Sequence, residues 1–290
     1  MLTAIAGLAL GLLVIYFDRL SWDKPDRTFA LTGAFLFWVA VIATQTMLWT
    51  LAAPPLATIL RRRWRHRAAR SVRNEVLPSA LILTSLVAIL VTVPRRLAQL
   101  PPVLPHRALK IDILSALALL ISLTAATSIW LIRGRAEELL KSSTFTRGDL
   151  RTYLQLRSDL ELLLAFLGAV IGLAIFASAA LRNVVLLKDK NADFSASSII
   201  LYGFVLSFLV AIVYLPTLLA LRQTGGYLRD RIEPLPSPND ENLNANLQRR
   251  NTFDELLGLK TSTITTFRAG VAILTPLLGS LTSLIPKLGG

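Results

Sequence analysis

The side chains that could do chemistry in this chain are few, and their spacing argues against catalysis. His66 and His106 are the whole supply of imidazole, so a multi-histidine metal or haem site is excluded. Cysteine is absent, which removes disulfides, thiolate metal sites and thiol nucleophiles. Ser21 and Lys24 match Ser-x-x-Lys. Lys24, however, follows Asp23 in a turn of mixed charge and is not desolvated as a base must be, so the match is one of chance. No HExxH, Gly-rich phosphate loop, Gly-x-Ser-x-Gly or Gly-x-Gly-Asp occurs. The expectation is a protein that is not an enzyme and uses no cofactor and no metal.

Positive charge is the chemistry the chain has in quantity. Leu56 to Val72, with Arg73 beyond it, carries seven arginines, Arg61, Arg62, Arg63, Arg65, Arg67, Arg70 and Arg73. Leu56, Leu60, Trp64, Ala68 and Val72 recur every four residues, so a helix over 56–73 pairs an apolar stripe with an arginine-rich face. Such a helix lies on a bilayer with Trp64 among the lipids and its arginines near anionic headgroup phosphates. One aromatic within the cluster, and no nucleic-acid-binding motif around it, argue against a nucleic-acid partner.

The elements that position these groups are membrane spans. Hydrophobic residues make up 53% of the 290, charged residues only 17%, and the charges fall between long uncharged runs. Six runs, at about 2–17, 28–53, 77–93, 113–132, 162–181 and 194–221, suit transmembrane helices. A cleaved signal peptide is the alternative for the first, but it starts without Lys or Arg. Pro54 and Pro55 are expected to end the second span, and Pro216 to kink the sixth. Gly7 with Gly11, and Gly168 with Gly172, stand four apart and suit close helix packing.

No span holds an Asp, Glu, Lys, Arg or His. Glu75, Asp112 and Glu161 stand at span entrances beside Arg73, Lys110 and Arg157, which predicts interfacial ion pairs. Within spans, Thr44, Gln45, Thr46, Thr124, Thr127 and Ser128 are polar, and Gln45 in particular must find a hydrogen bond. Residues 133–161 mix charge with apolar residues at helical spacing, and Thr146 with Asp149 reads as a cap, predicting a helical hairpin that projects from the membrane.

Residues 223–290 form a tail in which Gly225 and Gly226 open a soluble segment. Ser237–Asp240 and Thr252–Glu255 each look like a helix start. Ile264, Phe267, Val271, Leu274, Leu278, Leu281 and Ile285 repeat at three and four residues, predicting an amphipathic helix over 262–286. Opposite them runs a stripe of small and polar residues from Thr261 to Thr282. This helix lies along the interface, crosses as a seventh span, or serves oligomerisation.

Connections after the second, fourth and sixth spans hold 19 Lys and Arg up to Lys260, against 10 on the others, which predicts cytoplasmic N- and C-termini. The sequence thus predicts an all-α, polytopic helical protein of the inner, or cell, membrane. Six transmembrane helices are followed by a C-terminal amphipathic helix. Its expected partners are anionic lipids and either copies of itself, as a homo-oligomer, or a membrane or cytoplasmic protein. Scaffolding or sensing through the basic helix and tail is the favoured function, and an oligomeric channel or membrane-permeabilising effector is the alternative.

Overall fold

The computed structural model describes residues 2–64, 105–142, 146–190, 192, 194–236 and 242–260. The predicted span 77–93, Arg65, His66, Arg67, Arg70, Arg73, the Ser237–Asp240 helix start and the tail helix with its seam from Ile264 to Ile285 lie outside the described residues.

Among the described residues the chain is helical, without strands. Seven helices are α1 (Leu2–Tyr16), α2 (Lys24–Phe29), α3 (Gly33–Trp64), α4 (Arg107–Lys141), α5 (Arg147–Lys188), α6 (Ala196–Ile232) and α7 (Leu243–Leu256), with a 3₁₀ turn at Arg19–Ser21. Five helical stretches, containing α1, α3, α4, α5 and α6, are long and apolar enough to cross a membrane.

α1 packs antiparallel on α3 because Gly7 and Gly11 leave room for the neighbouring backbone. A Cβ at Gly7 would meet the Thr50 side chain and, at 2.5 Å, the Cα of Met47; one at Gly11 would meet Thr46 and, at 2.9 Å, the Cα of Ala43. The Thr50 hydroxyl spans the gap and donates to the Thr3 carbonyl at 3.0 Å. Small residues admit such backbone approach in lipid, where dispersion contacts rather than water exclusion hold helices together.

The prolines do not end the second span. α3 runs through Pro54 and Pro55 for 32 residues, so Leu56 to Trp64 continues the crossing helix and is not a separate surface helix. Packing outweighs the lost backbone donors: Ala52, Leu56, Ile59 and Arg63 are buried at three- and four-residue spacing.

α5 is the central helix. Its 42 residues rise about 63 Å, roughly twice a bilayer core, and it packs against α3, α4 and α6. It starts where the sequence predicts, with the Thr146 amide donating to the Asp149 carboxylate at 2.8 Å. α4 continues to Lys141 and α5 begins at Arg147, each well beyond its uncharged stretch. On α5, Gly168 and Gly172 are buried with Leu164, Ile171 and Ile175.

Gly225 and Gly226 do not interrupt α6, which continues to Ile232. Gly225 is where Tyr153 of α5 crosses, and a Cβ there would meet the Tyr153 hydroxyl at 2.5 Å and Leu259 at 2.9 Å. α6 lies parallel to α4, with Thr217 donating to the Ile129 carbonyl at 3.4 Å and Thr224 to the Ala136 carbonyl at 3.0 Å. Thr252–Glu255 falls in the last turns of α7 rather than opening a helix. α3, α4 and α6 thus run one way, and α1 and α5 the other.

Candidate functional site

Charge gathers at the two ends of this bundle. At one end Asp18, in the turn after α1, accepts hydrogen bonds from Lys110 Nζ at 2.7 Å and Trp22 Nε1 at 2.9 Å, and contacts His106 Nδ1 at 3.0 Å. Lys110 is 1% exposed, and its ammonium lies 5.4 Å from the Phe17 ring centroid and 5.0 Å from that of Trp22. An ammonium held by a carboxylate and two aromatic faces is a structural rivet, not a free base. Asp112, the expected partner, is exposed instead. Nearby, Lys188 pairs with Asp26 at 2.9 Å and ties α5 to α2. His106 caps α4 with φ of 51°, a left-handed conformation that costs a histidine about 1 kcal/mol or more.

At the other end Asp159 of α5 receives both Arg62, at 2.7 Å, and Arg63 of α3. Arg62 keeps about a third of its side chain exposed, whereas Arg63 is turned into the bundle. Arg63 is 8% exposed and faces α5, because a carboxylate inside the bundle attracts a guanidinium more strongly than distant headgroups do. Arg61 and Trp64 are exposed as expected, but Leu56, Ile59 and Arg63, rather than Leu60 and Trp64, form the buried stripe.

The end of α7 is clasped onto the same end of the bundle. Tyr153 donates to the Leu257 carbonyl at 3.0 Å, and Leu257 is fully buried. Burial pushes the Tyr153 phenol above its ordinary pKa, so it stays protonated as a donor. Arg229 pairs with Asp254 at 3.0 Å, while Arg250 reaches the Asp230 carboxylate and, at 2.5 Å, the Glu233 carbonyl. Hydrogen bonds from Arg229 and Arg250 hold the Asp230 carboxyl below the usual range despite some burial. Gly258 turns the chain with φ of +63° directly beneath the Arg157 guanidinium, where a side chain would be strained and would collide.

Between the ends the helices are chemically quiet. Thr44, Thr46, Thr124 and Ser128 return their hydroxyls to carbonyls of their own helices. Gln45, the costliest of these groups to bury, is 5% exposed. A cleft of about 50 Å³ among α4, α5 and α6, lined by Ser122, Val170 and Tyr202, is far below the 300 Å³ or so of a typical ligand pocket. Among the described residues no group of three or more His, Asp or Glu could hold a metal ion.

The sequence made Glu161 legible, and it pairs with Arg157 one turn away at 3.0 Å. It did not reveal Asp18, Tyr153 or Asp159; a carboxylate or phenol isolated in a charged hairpin was the available signal. Comparison with known protein families, curated proteins and solved structures finds no match for this chain.

Proposed function

We propose that this is a six-span protein of the cell membrane, cytoplasmic at both termini, that works as a non-enzymatic scaffold or sensor through the Asp159 end of the bundle. The carrying observation is the contrast between ends and middle. The crossing stretches contain no Asp, Glu, Lys, Arg or His, whereas the Asp159 end gathers α3, the α4–α5 hairpin and the clasped segment up to Lys260. A sixth span is supported by direction: the described residues on either side of the predicted span 77–93, Trp64 and Pro105, lie at opposite ends of the bundle. Cytoplasmic placement of the Asp159 end is supported by the excess of Lys and Arg there.

The test compares the full chain with one ending at Lys260, each in its own membrane. The shortened chain should insert and accumulate normally yet fail to restore the phenotype of a strain lacking the protein. Full restoration by the shortened chain removes the scaffold role. The small-residue stripe from Thr261 to Thr282 favours a second reading, an oligomeric channel or permeabilising effector. Dye release from liposomes containing the purified full chain would support that reading over the first.

A further inference from the structure

α7 is fastened to the bundle mainly by polar contacts. The buried residue within Leu243–Leu256 is Arg250, while Leu247 and Leu256 stay exposed, so the helix fully buries no apolar side chain of its own. The neighbouring turns of α5 and α6, by contrast, bury Tyr153, Leu156 and Leu228. The fastenings of α7 fall in one short stretch. Arg250 donates to the Asp230 carboxylate and the Glu233 carbonyl, Asp254 accepts from Arg229 at 3.0 Å, and the Leu257 carbonyl accepts from Tyr153 at 3.0 Å. Beyond the helix Leu257 is buried and Leu259 sits against Gly225. Between these two leucines Gly258, at φ of +63°, carries the chain under the Arg157 guanidinium.

We propose that residues 243–259 are a strap that lifts off α5 and α6 as one unit while the rest of the bundle stays folded, with Arg250 and Tyr153 as its fastenings. Buried apolar area sets much of the cost of opening a segment, and this one buries little beyond its two terminal leucines. Its ion pairs, Arg229 with Asp254 and Arg250 with Asp230, are partly exposed, so salt screens them. A polar helix of 14 residues is marginal in water by itself, so the strap melts once it is lifted. Lifting uncovers Tyr153 and Gly225 and lets the chain beyond Lys260 move away from the Asp159 end. The proposal does not depend on the scaffold role, and its failure would leave the truncation result unchanged.

The test is amide hydrogen exchange of the full chain in neutral detergent, read by mass spectrometry under conditions where closing outruns exchange. Peptides from 243–257 should exchange about a hundredfold faster than those holding Leu156 and Leu228. Tyr153→Phe should speed the strap about fivefold more, as loss of one neutral hydrogen bond implies, and Arg250→Gln about tenfold, as loss of a charged one implies. Gly258→Ala, which puts a side chain at positive φ, and added salt should both act in the same direction. Arg249→Gln, an exposed arginine on the same helix, should change nothing. Equal exchange in the strap and around Leu156 and Leu228 would overturn the proposal. So would variants that speed both sets of peptides alike, or that leave the strap unmoved. Should Tyr153→Phe fail to fold, Arg250→Gln decides alone.

Discussion

Removing the Asp159 carboxylate leaves Arg63 charged, buried and without its counter-ion, a situation far costlier than never having had the pair. Asp159→Ala should therefore destabilise the protein by about 3–5 kcal/mol, read as a lowered thermal midpoint in detergent. Adding Arg63→Met to it should recover most of that loss, because the stranded charge leaves with its partner. Asp230 acts at a different scale of energy, being half exposed and beyond the membrane-crossing stretch of α6. Its folded pKa is depressed, so its contribution is present above the unfolded value near 4 and disappears as pH falls through the folded one. Proteolysis around Leu257 should then accelerate as pH falls below about 4, and Asp230→Asn should remove that acceleration. Such pairings were only partly legible. Arg157 and Glu161 stand at i and i+4 on one helix, which sequence alone reveals. Lys110 and Asp112 stand at i and i+2, which point apart on a helix, so Lys110 finds Asp18 in another element instead.

Helix positions follow from hydropathy, but helix ends do not. Pro54, Pro55, Gly225 and Gly226 carry strong local signals for termination, and at each of them packing between helices prevails. The signal failed because local propensity amounts to about 1 kcal/mol for glycine and 3 for proline. A buried face such as Leu56, Ile59 and Arg63 supplies more than that. Where local signal and packing agree, as at Thr146 and Asp149, the boundary was readable. Gly7 supplies a test of packing at this level. Gly7→Leu would push a side chain into Thr50 and the Met47 backbone and should cost about 1–3 kcal/mol. With no native cysteine, a Thr3→Cys, Thr50→Cys pair reports the α1–α3 contact directly. The disulfide should form readily beside Gly7 and slowly beside leucine; equal rates would show that α1 does not depend on the small residue.

Orientation belongs to the whole molecule and rests on the uneven spread of Lys and Arg between alternate connections. Single cysteines at the exposed positions Arg61 and Arg249 should resist an impermeant maleimide added to intact cells and react once the membrane is opened. One at Asp112 should react from outside at once. The reverse pattern would invert the protein and place its working face outdoors. Membrane class was readable from composition because hydrocarbon tolerates long uncharged runs and little else. The arrangement of helices was not, since any apolar face can meet any other and only particular residues such as Gly7 or Thr224 select a neighbour. α5 joins the two ends in one uninterrupted rod, gripped by Asp26 through Lys188 at one tip and gripping Leu257 through Tyr153 near the other. The helix between the two grips is unbroken, so a twist large enough to release one of them has a continuous path of backbone hydrogen bonds toward the other.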